Sequence, residues 1–330
     1  MTTAVSPSSP PAASSSSSSW NSATIRRLLP LYGVYVALAV LVLFNAVFTD
    51  NFLTWSNLRV QLVQVTPVVI VALGMALVIG TEGIDLSVGS VMALGAALIP
   101  LYLGYGMVPA IVLALAGGLL VGIVNGGLVA FVGLQPIVAT LAMLVAGRGV
   151  ALVVSNGKYK DIRDKDFLAI GTDAFLGVPY TVWIAAVLAV VVGFVVRRTV
   201  FGRRLLAIGD NRAAAQLAGV PVKRVLIVVY MIAAVLAAVA GVIQVSRIGS
   251  ADASRIGLLI ELSAITAVVV GGTPLTGGKV RVLGTVAGAL LMQLLTATMI
   301  TNNLKDSTAQ MVQAVIILVA VYTARERRTR

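Results

Sequence analysis

Long apolar runs are the feature of this sequence that most limits its fold. Runs of roughly 17 to 25 residues, the length that an α-helix needs to cross a bilayer, follow one another from residue 28 to near the carboxyl terminus. The chain is 59% hydrophobic with a mean hydropathy of +1.02. Only 11% of its residues are charged, against about 25% in a typical soluble domain. We therefore predict an all-α integral membrane protein, a polytopic bundle of about ten transmembrane helices.

Each apolar run marks one predicted span. The second run follows a polar stretch at residues 55–64, which we place at the membrane interface. The run at residue 262 is short, so we expect it to start at Leu258 or earlier and to end in a broken segment. The predicted spans cover residues 28–48, 65–79, 86–103, 108–132, 136–154, 180–196, 225–245, 262–272, 282–300 and 309–324.

The net charge of +12 is distributed unevenly over this topology. With alternating crossings, 15 of the 24 Lys and Arg residues fall on one side, opposed only by Asp210 and Glu326. Cytoplasmic loops carry the excess of Lys and Arg in membrane proteins, so this side is cytoplasmic, the number of spans is even and both termini lie inside. The asymmetry explains the basicity without nucleic acid as a partner. The cytoplasmic cations are Arg26, Arg27, Arg197, Arg198, Arg203, Arg204, Arg212, Lys223, Arg224, Lys279, Arg281, Arg325, Arg327, Arg328 and Arg330.

The amino-terminal segment differs in composition from the rest of the chain. Residues 1–24 are rich in Ser, Pro and Ala, with consecutive serines at residues 14–19, and contain too few apolar residues to compensate the entropy of ordering. We predict a disordered cytoplasmic tail. It does not resemble a signal peptide, because no basic region opens it and the first apolar run is long enough to span. Residues 25–330 form a single transmembrane domain in this prediction.

Several kinds of chemistry are excluded by residues that the sequence lacks. It contains no Cys and no His, which removes disulfides, thiolate nucleophiles and the usual zinc or copper sites. No Gly-x-x-x-x-Gly-Lys-[Ser/Thr] loop is present, and Gly277-Gly278-Lys279-Val280 lacks both its spacing and its hydroxyl. We expect this chain to bind no ATP, cofactor or metal and to have no catalytic residue.

One polar stretch interrupts the apolar runs. Residues 80–90 read Gly-Thr-Glu-Gly-Ile-Asp-Leu-Ser-Val-Gly-Ser and contain the carboxylates of Glu82 and Asp85. A carboxylate near the bilayer centre costs roughly 2.5 to 3.5 kcal/mol on insertion scales and usually faces the interior of a bundle. The glycines indicate a helix break that lines a cavity or lies buried in protein. The alternative is a polar turn in which Asp85 caps a helix that begins at Leu86.

A second glycine-rich stretch has a similar pattern. Residues 270–278 read Val-Gly-Gly-Thr-Pro-Leu-Thr-Gly-Gly and faintly repeat the pattern of residues 78–89. Transporters are often built from two halves with broken helices in corresponding positions, so we predict an internal repeat. The alternative is that Gly and Pro are simply common in membrane helices. The second helix break would contain Gly271, Gly272, Gly277 and Gly278.

The largest cytoplasmic loop, residues 197–224, contains the signals of a short helix. Asp210 or Asn211 can cap a helix through residues 212–217, Gly219 can end it in a left-handed conformation, and Pro221 prevents it from resuming. We predict a rigid helix with small side chains on the cytoplasmic face. A plain amphipathic connector is the alternative.

Polar residues inside predicted spans are further candidates. An unpaired guanidinium in hydrocarbon is costly, so Arg148 needs a partner, for which Asp85 and Glu261 are the candidates; the pair would fix helix packing or contact a substrate. Asn125 and Gln293 can form interhelical hydrogen bonds. Glycines on the fourth span favour close helix packing; they are Gly117, Gly118, Gly122, Gly126 and Gly127.

The motif Gly-Ile-Asp-Leu-Ser-Val-Gly at residues 83–89 closely resembles a signature of the sugar permeases of bacterial ATP-binding-cassette importers, of the ribose, xylose, arabinose and galactofuranose types. The resemblance runs from the first span to the last and includes residues 262–272 and Gly277-Gly278. It implies a permease in the bacterial inner membrane, surrounded by lipid, that pairs with a second copy or a paralogue. It also implies a separate ATPase that holds ATP and Mg²⁺, and a periplasmic sugar-binding protein.

The same resemblance assigns the candidate site residues. The helix at residues 212–218 would be the coupling helix that docks on the ATPase, whereas Glu82 and Lys279 depart from the pattern of the family. Branched-chain amino-acid importers and proton-coupled secondary transporters, with Glu82 or Asp85 as the proton carrier, remain alternatives. The candidates for the pathway or the first helix break are Glu82, Gly83, Asp85, Ser87, Gly89, Asn125 and Arg148. The candidates for ATPase coupling are Gly202, Asn211, Ala214, Ala215, Ala218 and Gly219.

Overall fold

The computed structural model describes residues 22–302 and a few positions between 307 and 318. Most of the tail predicted at residues 1–24, and most of the span predicted at residues 309–324, lie outside the described residues. The first helix already begins at Ser22.

Helices make up most of the described chain. They are α1 (Ser22–Phe48), α2 (Trp55–Gly80), α3 (Val88–Tyr102), α4 (Met107–Gly127), α5 (Pro136–Ser155), α6 (Lys165–Thr172), α7 (Tyr180–Arg198), α8 (Val200–Asp210), α9 (Arg212–Leu217), α10 (Val222–Ile248), α11 (Ile260–Val270) and α12 (Val282–Thr301). A short 3₁₀ turn (Leu103–Tyr105) extends α3, and a π turn (Leu128–Val132) extends α4. The two-residue strands are β1 (Lys160–Asp161), β2 (Ala174–Phe175), β3 (Val178–Pro179) and β4 (Ser250–Ala251).

Seven helices among the described residues are long and apolar enough to cross a membrane, and two shorter apolar helices lie at Tyr32–Phe48 and Ile260–Val270. The prediction of an all-α membrane protein is confirmed, while the count of about ten spans stays a prediction. Helix α2 is continuous from Trp55, so the polar stretch at residues 55–64 is its first part; the interfacial position of that stretch stays a prediction. The Thr54 side chain accepts the Asn57 amide hydrogen at 3.5 Å, so the helix is capped at its first turn.

Helices α2 and α10 form the centre of the bundle. Nearly every residue of α2 from Val65 onward is buried, and α10 is buried over most of its length. The two helices touch at Gly74, where an added Cβ would lie 2.9 Å from Ala233 Cα. Small residues are needed at this crossing because they allow the two backbones to approach closely.

Three glycines of α4 pack against α10, as predicted for this span. A Cβ on Gly122 would lie 2.7 Å from Met231 Cα, and one on Gly126 would lie 2.7 Å from Ile227 Cα. A Cβ on Gly118 would lie 3.0 Å from the Ala234 carbonyl oxygen. Gly127 has no such neighbour, and Gly117 faces only side chains of α3.

The chain contains two segments of similar organisation that run in opposite directions. In the first, the 26-residue α2 is followed by an irregular stretch and then by the 15-residue α3. In the second, the 27-residue α10 is followed by an irregular stretch and then by the 11-residue α11. The antiparallel contacts of α4 with α10 fix these opposite directions. An inverted pair of this kind is a common building plan of transporters.

Polar side chains also join helices within the bundle. The Gln293 amide on α12 donates to Gln61 Oε1 at 3.1 Å and to Gln64 Oε1 at 2.8 Å, both on α2. The predicted interhelical role of Gln293 is therefore confirmed. Strand β2 pairs with β3 within the loop before α7, and β1 pairs with β4, which connects this loop to the end of α10.

Candidate translocation and coupling site

The first helix break begins with a left-handed residue at the end of α2. Glu82 has φ +64°, its amide donates to the Ile79 carbonyl at 2.9 Å, and the Gly83 amide donates to the Val78 carbonyl at 3.1 Å. These two bonds form a helix-ending motif that usually has Gly in the left-handed position. The Glu82 side chain is exposed and takes no part in the buried network that follows.

The second helix break repeats this motif at the end of α11. Gly272 has φ +86° and its amide donates to the Val269 carbonyl at 2.9 Å, while the Thr273 amide donates to the Val268 carbonyl at 3.1 Å. This kind of helix end is common, so the shared motif does not test the internal repeat predicted from residues 78–89 and 270–278, which stays a prediction. Glu82 corresponds to Gly272, so the two glycines at 271 and 272 follow the pattern of Thr81 and Glu82.

Asp85 is the centre of a buried network in the first break. Its Oδ1 accepts the Ser87 amide at 2.9 Å and the Ser87 hydroxyl at 2.6 Å, and the side chain is 1% exposed. Asn125 on α4 donates from Nδ2 to Ser87 Oγ at 2.8 Å. Asp85 therefore does not cap a helix at Leu86, because α3 begins at Val88 and the acceptor bonds form a local turn instead.

Three buried oxygens around this network have no hydrogen-bond partner. They are Asp85 Oδ2, Asn125 Oδ1 and Tyr230 OH, and a Cβ on Gly83 would lie 2.9 Å from that hydroxyl. No cationic side chain of the described residues forms a salt bridge with Asp85. A buried carboxylate without a cation is costly, which makes this network a strained point of the fold. Tyr230 was not predicted, since an aromatic residue in an apolar run gives no functional signal.

Four glycines connect both breaks to helix α8. The Gly278 amide donates to the Gly80 carbonyl at 3.1 Å. Gly209, near the end of α8, lies against Gly80 O and the Gly278 amide, and a Cβ on Gly277 would lie 2.7 Å from Gly209 O. We call Gly80, Gly209, Gly277 and Gly278 the glycine junction. The sequence identified Gly277 and Gly278 as part of a break, but Gly209 gave no signal, because its neighbours come from distant parts of the chain.

The segment between α7 and α10 consists of two helices, α8 and α9. Asn211, not Asp210, caps α9, since its Oδ1 accepts the Ala214 amide at 2.9 Å. Gly219 follows the helix with φ +77°, as predicted. Ala214 and Ala218 are exposed, Ala215 is buried and Leu217 is 90% exposed. Helix α8, which was not predicted, is capped by Thr199, and its Gly202 lies against the Val195 and Val196 carbonyls.

Arg148 belongs to a second cluster, apart from Asp85. Its NH1 donates to the Ala253 carbonyl at 2.9 Å and to the Ile256 carbonyl at 2.8 Å. Neither of the two predicted acidic partners forms a salt bridge with it among the described residues. Carbonyl groups are thus the direct partners of the guanidinium.

The amino-terminal ends of α3 and α11 meet beside this second cluster. A Cβ on Gly89 would collide with the Gly257 carbonyl, and a Cβ on Gly257 would collide with the Gly89 carbonyl. Glu261 Oε2 would lie 2.6 Å from that Cβ on Gly89 and is itself buried without a partner. Gly89 therefore serves the contact between the two half-length helices and is not part of the Asp85 network.

The match to a known family decides the class of this fold. The family described as the permease component of the branched-chain amino acid transport system matches residues 58–321. The chain belongs to this permease family. It is a family of transport proteins, so the two glycine-rich breaks, the buried Asp85 network and the cytoplasmic helices are parts of a permease, not of an enzyme.

Individual relatives of this permease cover most of its length. It is 39% identical to the ribose import permease protein of Escherichia coli K12 over 292 residues, which is 87% of this chain and 91% of the relative. It is 37% identical to the fructose import permease protein of Bifidobacterium longum over 306 residues, 88% and 86% of the two chains. It is 38% identical to the galactofuranose transporter permease protein of Escherichia coli K12 over 266 residues, 80% and 78%. No solved structure matches the chain.

Proposed function

We propose that this chain is the membrane-spanning permease of an ATP-driven importer that carries a monosaccharide, a pentose or a hexose, across the bacterial inner membrane. The similarity to ribose, fructose and galactofuranose permeases over at least 80% of the chain supports a sugar as the substrate. The observation that carries the mechanism is the glycine junction, because it joins α8 to both helix breaks by close backbone contacts, with the Leu205 side chain packed beside them.

The cytoplasmic end of the mechanism is the docking of the ATPase on α9. This helix presents Ala214, Ala218 and a 90% exposed Leu217 to the cytoplasm, and small side chains allow a partner to approach its backbone closely. ATP and Mg²⁺ bind to that separate subunit. A displacement of α9 moves Asn211 and, through the adjacent end of α8, Gly209 of the junction.

The junction then transmits this displacement to the membrane interior. Gly209 lies against Gly80 at the end of α2 and against Gly278 in the loop after α11. Both helix breaks therefore move with α8. The half-length helix α3, which follows the first break, and the half-length helix α11, which precedes the second, change their position. Alternating opening towards the outside and the cytoplasm is the result. A backbone contact suits this role because no flexible side chain absorbs the motion.

The outer loop between α5 and α7 receives the binding protein in this proposal. It contains α6 and the strand pair β2–β3, and β1 ties it to the end of α10. A second copy or a paralogue completes the pathway, lipid surrounds the remaining apolar faces, and both termini lie in the cytoplasm. The sugar is neutral, so the pathway needs hydrogen-bonding groups rather than a strong counter-charge.

Co-purification from native membranes, followed by mass spectrometry and transport assays in proteoliposomes, tests this proposal. We expect a stoichiometric ATPase, and uptake that needs ATP and the binding protein and is competed by ribose, fructose or galactose. Uptake competed instead by leucine, isoleucine or valine would replace the sugar by the substrate after which the family is described. A permease that purifies alone and transports with a proton gradient but without ATP would overturn the proposal.

A further inference from the structure

The stretch between β4 and α11, residues 252–259, is irregular and is built on a turn like that of Asp85. Asp252 Oδ1 accepts the Ser254 amide at 2.9 Å and the Ser254 hydroxyl at 2.5 Å, which repeats the bonds that Asp85 Oδ1 accepts from Ser87. Gly257 and Leu259 have φ values of +73° and +60°. We call residues 252–259 the re-entrant segment.

The contacts of this segment place it below the outer ends of the helices around it. Arg148, which binds the Ala253 and Ile256 carbonyls, lies seven residues before the end of α5 at Ser155, or about 10 Å along the helix axis. Gly257 touches Gly89, and α3 continues from there to Tyr102, about 20 Å further. The segment therefore descends from the outer surface into the membrane region.

The same segment is open on one side. Arg255 is 88% exposed, Leu258 is 63% exposed, and Ser254 is exposed as well. Arg255 Nε lies 3.8 Å from Asp252 Oδ2, which leaves most of the guanidinium uncovered. Irregular backbone at membrane depth occurs only where it is buried in protein or lines a water-filled cavity, and a charged side chain there faces such a cavity as well. Lipid therefore does not cover this side.

We propose that the re-entrant segment lines the sugar pathway, that Ser254 and Arg255 contact the passing sugar, and that Arg148 holds the segment in place. The inference rests on the proposed function. A hydroxyl, a guanidinium and the Asp252 carboxylate offer both donors and acceptors to sugar hydroxyls. Arg148 is a positioning residue, because its guanidinium binds the segment's carbonyls. The Asp85 turn, being fully buried, has no access to the sugar.

The absence of native cysteine makes a direct test clean, since any introduced thiol is the only one in the chain. Ser254→Cys and Leu258→Cys are labelled in inverted and right-side-out vesicles with a charged, membrane-impermeant methanethiosulfonate. The matched control is Val190→Cys on α7, a site that is 71% exposed on an apolar helix. We expect both segment thiols to react at least tenfold faster than the control thiol. Two positions are used so that a folding defect in one variant does not decide the result.

Labelling rates at both positions that are no faster than the rate of the Val190→Cys thiol would overturn the inference. A disulfide that joins two Ser254→Cys permeases would also overturn it, because it would show that the open side of the re-entrant segment is a closed contact between copies. Labelling does not depend on transport, so this result is separate from the test of the proposed function. Arg255→Gln adds a second readout. We expect the sugar concentration for half-maximal uptake to rise at least fivefold with unchanged ATPase binding, and an unchanged concentration would count against contact with the sugar.

Discussion

The turn at Asp85 and the turn at Asp252 accept the same two hydrogen bonds and lie in opposite surroundings. Asp85 is 1% exposed, and its turn joins Asn125 in a network closed on all sides. Asp252 is partly exposed, and its turn carries the open side chains of Ser254 and Arg255. One local geometry thus serves two purposes: in the first half of the molecule it organises a buried break, and in the second half it presents polar groups to an open face.

The two halves meet at Gly89 and Gly257, and this contact should give the largest effect. In either Gly89→Ala or Gly257→Ala the new methyl group collides with the carbonyl of the other glycine, so we expect each variant to lose about 3 kcal/mol of stability. Gly149→Ala on α5 is the matched control, because a Cβ there meets nothing within 4 Å. Thermal unfolding in detergent measures all three. Equal unfolding temperatures of the three variants would show that the halves do not touch as described.

The buried turn should tolerate loss of its carboxylate far less than the open turn. Asp85→Ala leaves the Ser87 amide and hydroxyl without their acceptor in a closed site, and we expect a loss of roughly 2 to 3 kcal/mol. Asp252→Ala should cost less than about 1 kcal/mol, since water replaces the acceptor. Unfolding temperature, assembly with the ATPase and uptake are compared for both variants. Intact assembly and uptake in Asp85→Ala would remove the role given to this motif.

The hydroxyl groups of the two turns allow a finer comparison. The Ser87 hydroxyl donates to Asp85 and accepts from Asn125, so Ser87→Ala should cost about 1 to 2 kcal/mol. The Ser254 hydroxyl makes one bond on an exposed surface, and Ser254→Ala should cost about half as much or less. The unfolding temperatures of Ser87→Ala and Ser254→Ala measure the two losses. A larger loss for Ser254→Ala would mean that the second turn is covered by a partner.

The smallest predicted change in stability concerns the ends of α2 and α11, and at the end of α2 it is a gain rather than a loss. Glu82 is left-handed where its counterpart is Gly272, and a left-handed non-glycine residue costs roughly 1 to 2 kcal/mol. We therefore expect Glu82→Gly to raise the stability by about 1 kcal/mol and Gly272→Ala to lower it by a similar amount. A loss of stability in Glu82→Gly would show that the exposed carboxylate has a partner that offsets its strained backbone.

Features encoded by neighbouring residues could be predicted from the sequence. The short helix α9 was placed correctly because Asn211, Gly219 and Pro221 act within one or two turns. Each of the nine predicted spans that begin before residue 300 overlaps a helix of the structure, because a long apolar run has few structures other than a helix open to it. The internal repeat predicted between residues 78–89 and 270–278 stays a prediction, since the structure pairs the stretch after α2 with the stretch after α10.

Features that depend on distant residues could not be predicted. Arg148 binds carbonyls that follow it by 105 and 108 residues. Every residue has a backbone carbonyl, so the sequence does not show which of them is a partner. The sequence left open whether Asp85 caps a helix or lies in a buried break, because the choice depends on Asn125 of α4, which donates to Ser87 while Ser87 donates to Asp85. The open re-entrant segment was missed for the same reason, because only the packing against α3 and α5 shows how deep it lies.

The glycine junction has a consequence for exchanging parts between permeases. Its contacts run between backbone atoms of Gly80, Gly209, Gly277 and Gly278, and the side chains of Leu205 and Asp210 lie against Gly80 and Gly278. A segment transplanted from a relative therefore needs a glycine at position 209 and side chains of matching size at positions 205 and 210 to fit this membrane domain. Chimeras that take residues 200–219 from another importer should therefore assemble with the donor's ATPase while they keep the sugar selectivity of this chain.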